Sequence, residues 1–65
     1  MIKVSVVLPC LNEEESIGQS IQKIQNVFEK NEIDGEVIVV DNGSTDNSAK
    51  IAKQFKIKYI FELKK

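Results

Sequence analysis

The chain has 65 residues, 42% of them hydrophobic and 29% charged, and a formal net charge of −1. Those proportions belong to an ordinary folded domain and exclude a disordered tail. A single cysteine, Cys10, and the absence of histidine exclude an internal disulfide and a histidine- or cysteine-held structural zinc.

Charge is unevenly spread, −6 over residues 1–46 and +5 over residues 47–65. Nucleic-acid binding would call for a basic stripe with interleaved aromatics. Phe55, Tyr59 and Phe61 near the lysines read instead as strand core, so nucleic acid is set aside as a partner. The apolar run Val4 to Pro9 is far short of the ~20 residues of a membrane helix, and it lacks the pattern of a signal peptide. The lone thiol fits a reducing, cytoplasmic compartment.

In chain order, Ile2 to Leu8 predicts a first strand closed by Pro9, apolar on both faces after Lys3. A helix follows, with Asn12 as its cap and Glu15 at capping-box spacing. Glu13 and Glu14 lie at the positive end of the helix dipole. Ile17, Ile21, Ile24 and Phe28 make one apolar stripe, and Asp34-Gly35 turns the chain. Glu36 to Asp41 predicts a second strand, broken by Asn42-Gly43-Ser44, with Gly43 allowing a positive φ. Either Ser44 or Asp46 caps a second helix whose stripe is Ser48, Ile51, Ala52 and Phe55. Ile57 to Leu63 predicts a third strand.

Strands linked by helices imply an α/β fold with three parallel strands, β-α-β-α-β, in the order 3-2-1. That is half of a doubly wound, Rossmann-like nucleotide-binding sheet. The first strand should then lie at an edge, yet Val4 to Leu8 has no charge, proline or bulge to defend one. The expectation is a fourth strand beside it in a longer domain, or pairing of that edge with another chain.

Ligands of such sheets bind beyond the carboxyl ends of the strands. Two loops emerge there, Pro9 to Glu13 and Asp41 to Ser44, and the rim they form is acidic. Phosphate cradles use glycine N–H groups and a lysine, so direct phosphate binding is disfavoured. A carboxylate at a strand end accepts hydrogen bonds from neutral N–H donors, such as the edge of uracil or guanine. Asn12 reads as a cap, Cys10 as a small filler and Gly18 as a site of close helix packing.

Val-Ser-Val-Val-Leu-Pro-Cys-Leu-Asn-Glu-Glu (Val4 to Glu14), followed by Val-Ile-Val-Val-Asp-Asn-Gly-Ser-Thr-Asp (Val37 to Asp46), resembles the opening of an inverting family 2 glycosyltransferase of GT-A fold. The likeness is closer to the dolichol- or polyprenyl-phosphate sugar synthase branch, and it covers residues 1–65 as the nucleotide-sugar-binding portion of an incomplete domain. The resemblance implies that Pro9, Leu11 and Glu13 line the nucleoside pocket, that Asp41 bonds the base, and that the Val39 backbone borders it. Leu11 stands where an aromatic is frequent, and Asn42 where a second aspartate is common. Glu13 keeps a second explanation as favourable charge at a helix start, and Pro9 as a strand end.

The resemblance further implies a UDP- or GDP-sugar donor and Mg2+ or Mn2+ in the complete enzyme, held by an Asp-x-Asp that this sequence lacks. The general base and acceptor region are likewise expected elsewhere. The acceptor class includes polyprenyl phosphate, which would put the complete protein at the cytoplasmic face of a membrane. No catalytic residue and no metal ligand is assigned to these residues, and the isolated chain is expected to be inactive. The competing expectation is a non-catalytic nucleotide-binding or edge-pairing α/β module. Sugar-nucleotide synthesis ranks lower, because Leu11 to Glu15 is the opposite of a glycine-rich basic loop.

Overall fold

β-branched residues crowd Val4–Val7 and Val37–Val40, where a pleated, half-covered surface suits them. The computed structural model, which describes residues 3–63, forms β1 (Val4–Cys10), α1 (Ile17–Lys30), β2 (Gly35–Asp41), α2 (Ser48–Ala52) and β3 (Lys58–Phe61). Ile2, expected in the first strand, lies outside the described residues.

All pairings are parallel, and the order β1-β2-β3 puts β2 in the centre. The same sheet read from its other edge is 3-2-1. Val4 faces Gly35 and Cys10 faces Asp41, so β1 and β2 run level from end to end. β1 continues two residues further than expected, through Pro9 to Cys10. An edge strand with one neighbour leaves alternate N–H groups unpaired, so a proline is tolerated there. The edge therefore does carry a proline, at its carboxyl end.

The core lies between one face of the sheet and the two helices. Ile17 and Ile21 of α1 and Ala52 of α2 close on Cys10, Val37 and Val39, with Ile24, Phe28 and Phe55 packed around them. The predicted α1 stripe is thus the buried one. Period-2 alternation sends Val7, Ile38, Val40 and Ile60 to the other face, where Val7 is 56% and Ile60 41% exposed. At the amino end of β2, a Cβ on Gly35 would lie 2.6 Å from the Phe28 ring. Glycine is what lets that ring cover the start of the strand.

The helix starts differ from expectation. α1 begins at Ile17 with Ser16 as its N-cap residue and no side-chain capping bond, so neither Asn12 nor the Glu15 capping box forms. A turn intervenes, in which Glu13 C=O accepts the N–H groups of Ser16 and Ile17. α2 is shorter than its stripe, ending at Ala52, and its N-cap residue is Asn47 with no side-chain capping bond, so neither Ser44 nor Asp46 is the cap, although Asp46 Oδ1 accepts the Ser48 N–H at 2.9 Å. β3 is confined to four residues, Lys58–Phe61.

Candidate functional site

Because Cys10 and Asp41 pair, the loops after β1 and β2 leave the sheet side by side, about 4.8 Å apart. They are sewn together. Asn12 sits at φ 51, a left-handed conformation that asparagine tolerates, and its Oδ1 accepts the Thr45 and Asp46 N–H groups at 2.7 and 3.3 Å. In return the Asn12 N–H donates to Ser44 Oγ at 2.9 Å. The Glu13 N–H donates to buried Ser48 Oγ at 2.7 Å.

Glu14 and Asp46 complete the seam by exchange. Asp46 Oδ2 takes the Glu14 N–H at 3.1 Å, and Glu14 Oε1 takes the Asn47 N–H at 2.9 Å. Bonds to Ser48 and Glu14 hold the Asp46 carboxyl below the ordinary carboxylate range, outweighing its desolvation. Two of the rim's carboxylates are thereby internal fixtures. Those of Glu13 and Glu15 are exposed and make no hydrogen bond among the described residues.

Asp41 is turned inward. Its side chain is fully buried, with Oδ1 accepting the Gly43 and Ser44 N–H groups at 3.0 and 2.8 Å and Oδ2 accepting the Tyr59 hydroxyl at 2.5 Å. Burial pushes its carboxyl up, but the bonds from Tyr59, Ser44 and Gly43 outweigh that and hold it below its ordinary value. The Tyr59 phenol, desolvated and bonded to the Asp41 anion, is pushed up to about 12. In this conformation Asp41 presents no exposed acceptor to a base. The free polar side chain at the β2 tip is that of half-buried Asn42, which makes no hydrogen bond among the described residues and whose N–H donates to Cys10 C=O at 2.9 Å.

The five residues expected to line a pocket divide between two faces. Val39 and Asp41 are completely buried on the helix side. Pro9, paired with Val40, points to the open side of the sheet and is exposed. Leu11, 53% exposed, and Glu13 stand on the β1 loop. A cleft of about 460 Å³ lies between Asn12–Ser16 and Asp46, so Glu13 is the one of the five that lines it. A larger, more apolar cavity of about 710 Å³, lined by Phe28, Ile33 and Ile57 among others, opens at the amino ends of the strands, away from the rim.

Tyr59 does more than fill the strand core, and the sequence carries a signal for it. Tyr59 pairs with Val39, two positions before Asp41 on the same face, and a buried tyrosine hydroxyl normally finds a partner. Lys53 Nζ lies 4.6 Å from the Tyr59 ring centroid, bracing the ring from the end of α2. No group of three metal-ligating side chains occurs among the described residues, and no helix among them is long and apolar enough to cross a membrane.

The family profile described as Glycosyl transferase family 2 matches residues 5–65. An undecaprenyl-phosphate 4-deoxy-4-formamido-L-arabinose transferase of Proteus mirabilis is 46% identical over 52 residues, covering 80% of this chain and 16% of that protein. A glucosyl-3-phosphoglycerate synthase of Petrotoga mobilis is 36% identical over 61 residues, covering 92% of this chain and 19% of the relative. The chain thus spans less than a fifth of the length of these curated relatives. No solved structure matches it.

Proposed function

The chain belongs to glycosyl transferase family 2, and on that footing we propose that the joined tips of β1 and β2 are the donor-nucleotide end of a sugar transferase using UDP- or GDP-sugar. The observation that carries this reading is the level ending of β1 and β2, with Cys10 opposite Asp41, at the place where open α/β sheets bind ligands.

The proposed roles follow exposure. Leu11 and Pro9 offer apolar cover to a base or ribose, and Glu13 offers an acceptor for N–H or hydroxyl donors. Asn42, with both a donor and an acceptor, can meet a base edge. Val39 and Asp41 form the floor, and direct contact between Asp41 and a base requires the base to replace the Tyr59 hydroxyl or a turn N–H. A neighbouring divalent ion, implied by the family likeness, finds no fitting ligand cluster among the described residues. Acceptor binding and the general base are proposed to lie in other parts of a longer enzyme, with polyprenyl phosphate as one acceptor class. The Proteus relative, by its name, uses undecaprenyl phosphate.

Calorimetric titration with UDP and GDP tests the reading. Weak binding of one of them, lost in Asp41→Ala and weakened in Leu11→Ala, is the expected result, with no sugar transfer by the 65-residue chain. Affinity unchanged in both variants would remove the assignment. A second reading, an edge-pairing α/β module, is favoured by the exposed apolar side chains of Val7 and Ile60. Sedimentation as a stable dimer without nucleotide affinity would support it.

A further inference from the structure

Asp41 makes two kinds of bond. Those from Gly43 and Ser44 are local, two and three residues along the chain, and such a turn can form on any strand end. The bond from Tyr59 comes from a different strand, 18 positions away, and it alone ties the carboxylate to the rest of the sheet through a side chain. The ring that delivers it is itself held, level with Val39 in the ladder and beneath Lys53 Nζ.

The bonds continue outward from there. Asp41 Oδ1 holds the Ser44 N–H, Ser44 Oγ receives the Asn12 N–H, and Asn12 Oδ1 receives those of Thr45 and Asp46. Asn12 lies between Leu11 and Glu13, two exposed residues of the proposed nucleotide rim. We infer that Tyr59 is a positioning residue for that rim: by fixing Asp41 it sets the β2 loop and, through Ser44, the β1 loop that carries Leu11 and Glu13. The inference rests on the nucleotide reading for its functional meaning. Tyr59 itself lies under the rim, bonded inward to Asp41.

Removing one hydroxyl isolates this role, because Tyr59→Phe keeps the ring. Without it, Asp41 Oδ2 is a buried anionic oxygen lacking its donor, free to turn and release the loop. Amide hydrogen exchange on the wild-type chain and on Tyr59→Phe is the direct measurement. The expected pattern is exchange about tenfold faster at Gly43, Ser44 and Asn12, with Val37 and Val39 unchanged, the size of one net hydrogen bond. Affinity for UDP or GDP should fall about tenfold in the same variant.

Uniform acceleration across β2 would reduce Tyr59 to a general stabiliser and overturn the inference, as would unaltered affinity in a variant that binds nucleotide. If wild type binds neither nucleotide while the exchange pattern is local, the hold of Tyr59 on the rim stands and the nucleotide reading fails. If Tyr59→Phe does not fold, wild type decides. Tyr59 is the sole tyrosine and there is no tryptophan, so absorbance titration reads this phenol alone. Half-ionisation near 12, with circular dichroism still reporting the fold, supports the bond. Half-ionisation at the ordinary 10.0 overturns it.

Discussion

The Asn12 side-chain oxygen receives the Thr45 backbone N–H at 2.7 Å, joining two loops 33 positions apart in the sequence. Asn12 does this from a left-handed backbone, φ 51, so its substitution has two separable effects. Asn12→Gly removes the side-chain bonds and keeps the conformation, with an expected loss of about 1–2 kcal/mol. Asn12→Ala adds about 1 kcal/mol for the left-handed conformation of an L-residue. Urea midpoints should therefore rank wild type above Gly above Ala, and equal midpoints for the two variants would show that φ is not constrained.

Ser48 is the other hidden link. Its hydroxyl is fully buried and accepts the Glu13 N–H. Ser48→Ala leaves that N–H without its acceptor, at an expected cost of about 1–3 kcal/mol. Chemical shifts should move at Glu13 and Glu14 more than in β3, and shifts confined to α2 would argue against the link.

At the far end of the sheet, Gly35 tests packing alone. A Cβ there would meet Phe28 ring atoms at 2.6, 2.7 and 2.8 Å, so Gly35→Ala should destabilise by about 1–3 kcal/mol through overpacking. Combining it with Phe28→Leu should recover part of that loss. A double variant no more stable than the additive expectation would place the strain elsewhere.

Stability should fall at both ends of the pH scale for opposite reasons. Asp41 and Asp46 have folded-state values below the ordinary 3.8. Their contribution is therefore complete above that value and is lost as pH falls through the lowered ones. Tyr59 is raised from 10.0 to about 12, so its contribution is complete below 10.0 and is lost as pH rises through about 12. No histidine is present to titrate between these limits. Denaturation midpoints against pH should show an acid limb reduced in Asp41→Asn and an alkaline limb reduced in Tyr59→Phe.

Much of the fold was legible in the residues because its signals are local. The Ile17, Ile21, Ile24, Phe28 stripe needs only the helical period, and Val37 to Val40 needs only an apolar run bounded by turns. Connections of helical length then require parallel neighbours. The departures from expectation lie at element ends. An asparagine shortly before an apolar stripe is ordinarily a helix cap, and Asn12 is not one. Its acceptor was instead claimed by Thr45 and Asp46, arriving from the other loop. Pro9 looked like a terminator, and whether a proline ends a strand depends on there being a neighbour on both sides.

Which segments become strands and helices, the parallel run of β1 and β2, and the polar character of their carboxyl tips can all be read from the residues. Which of those polar groups remain free for a ligand is set by the folded arrangement. Asp41 is engaged beneath the rim and Glu14 and Asp46 bond across the two loops, while Glu13 and Asn42 are left open. A carboxylate's availability depends on the donors that reach it, and here donors come from the neighbouring strand or from a loop more than thirty positions away.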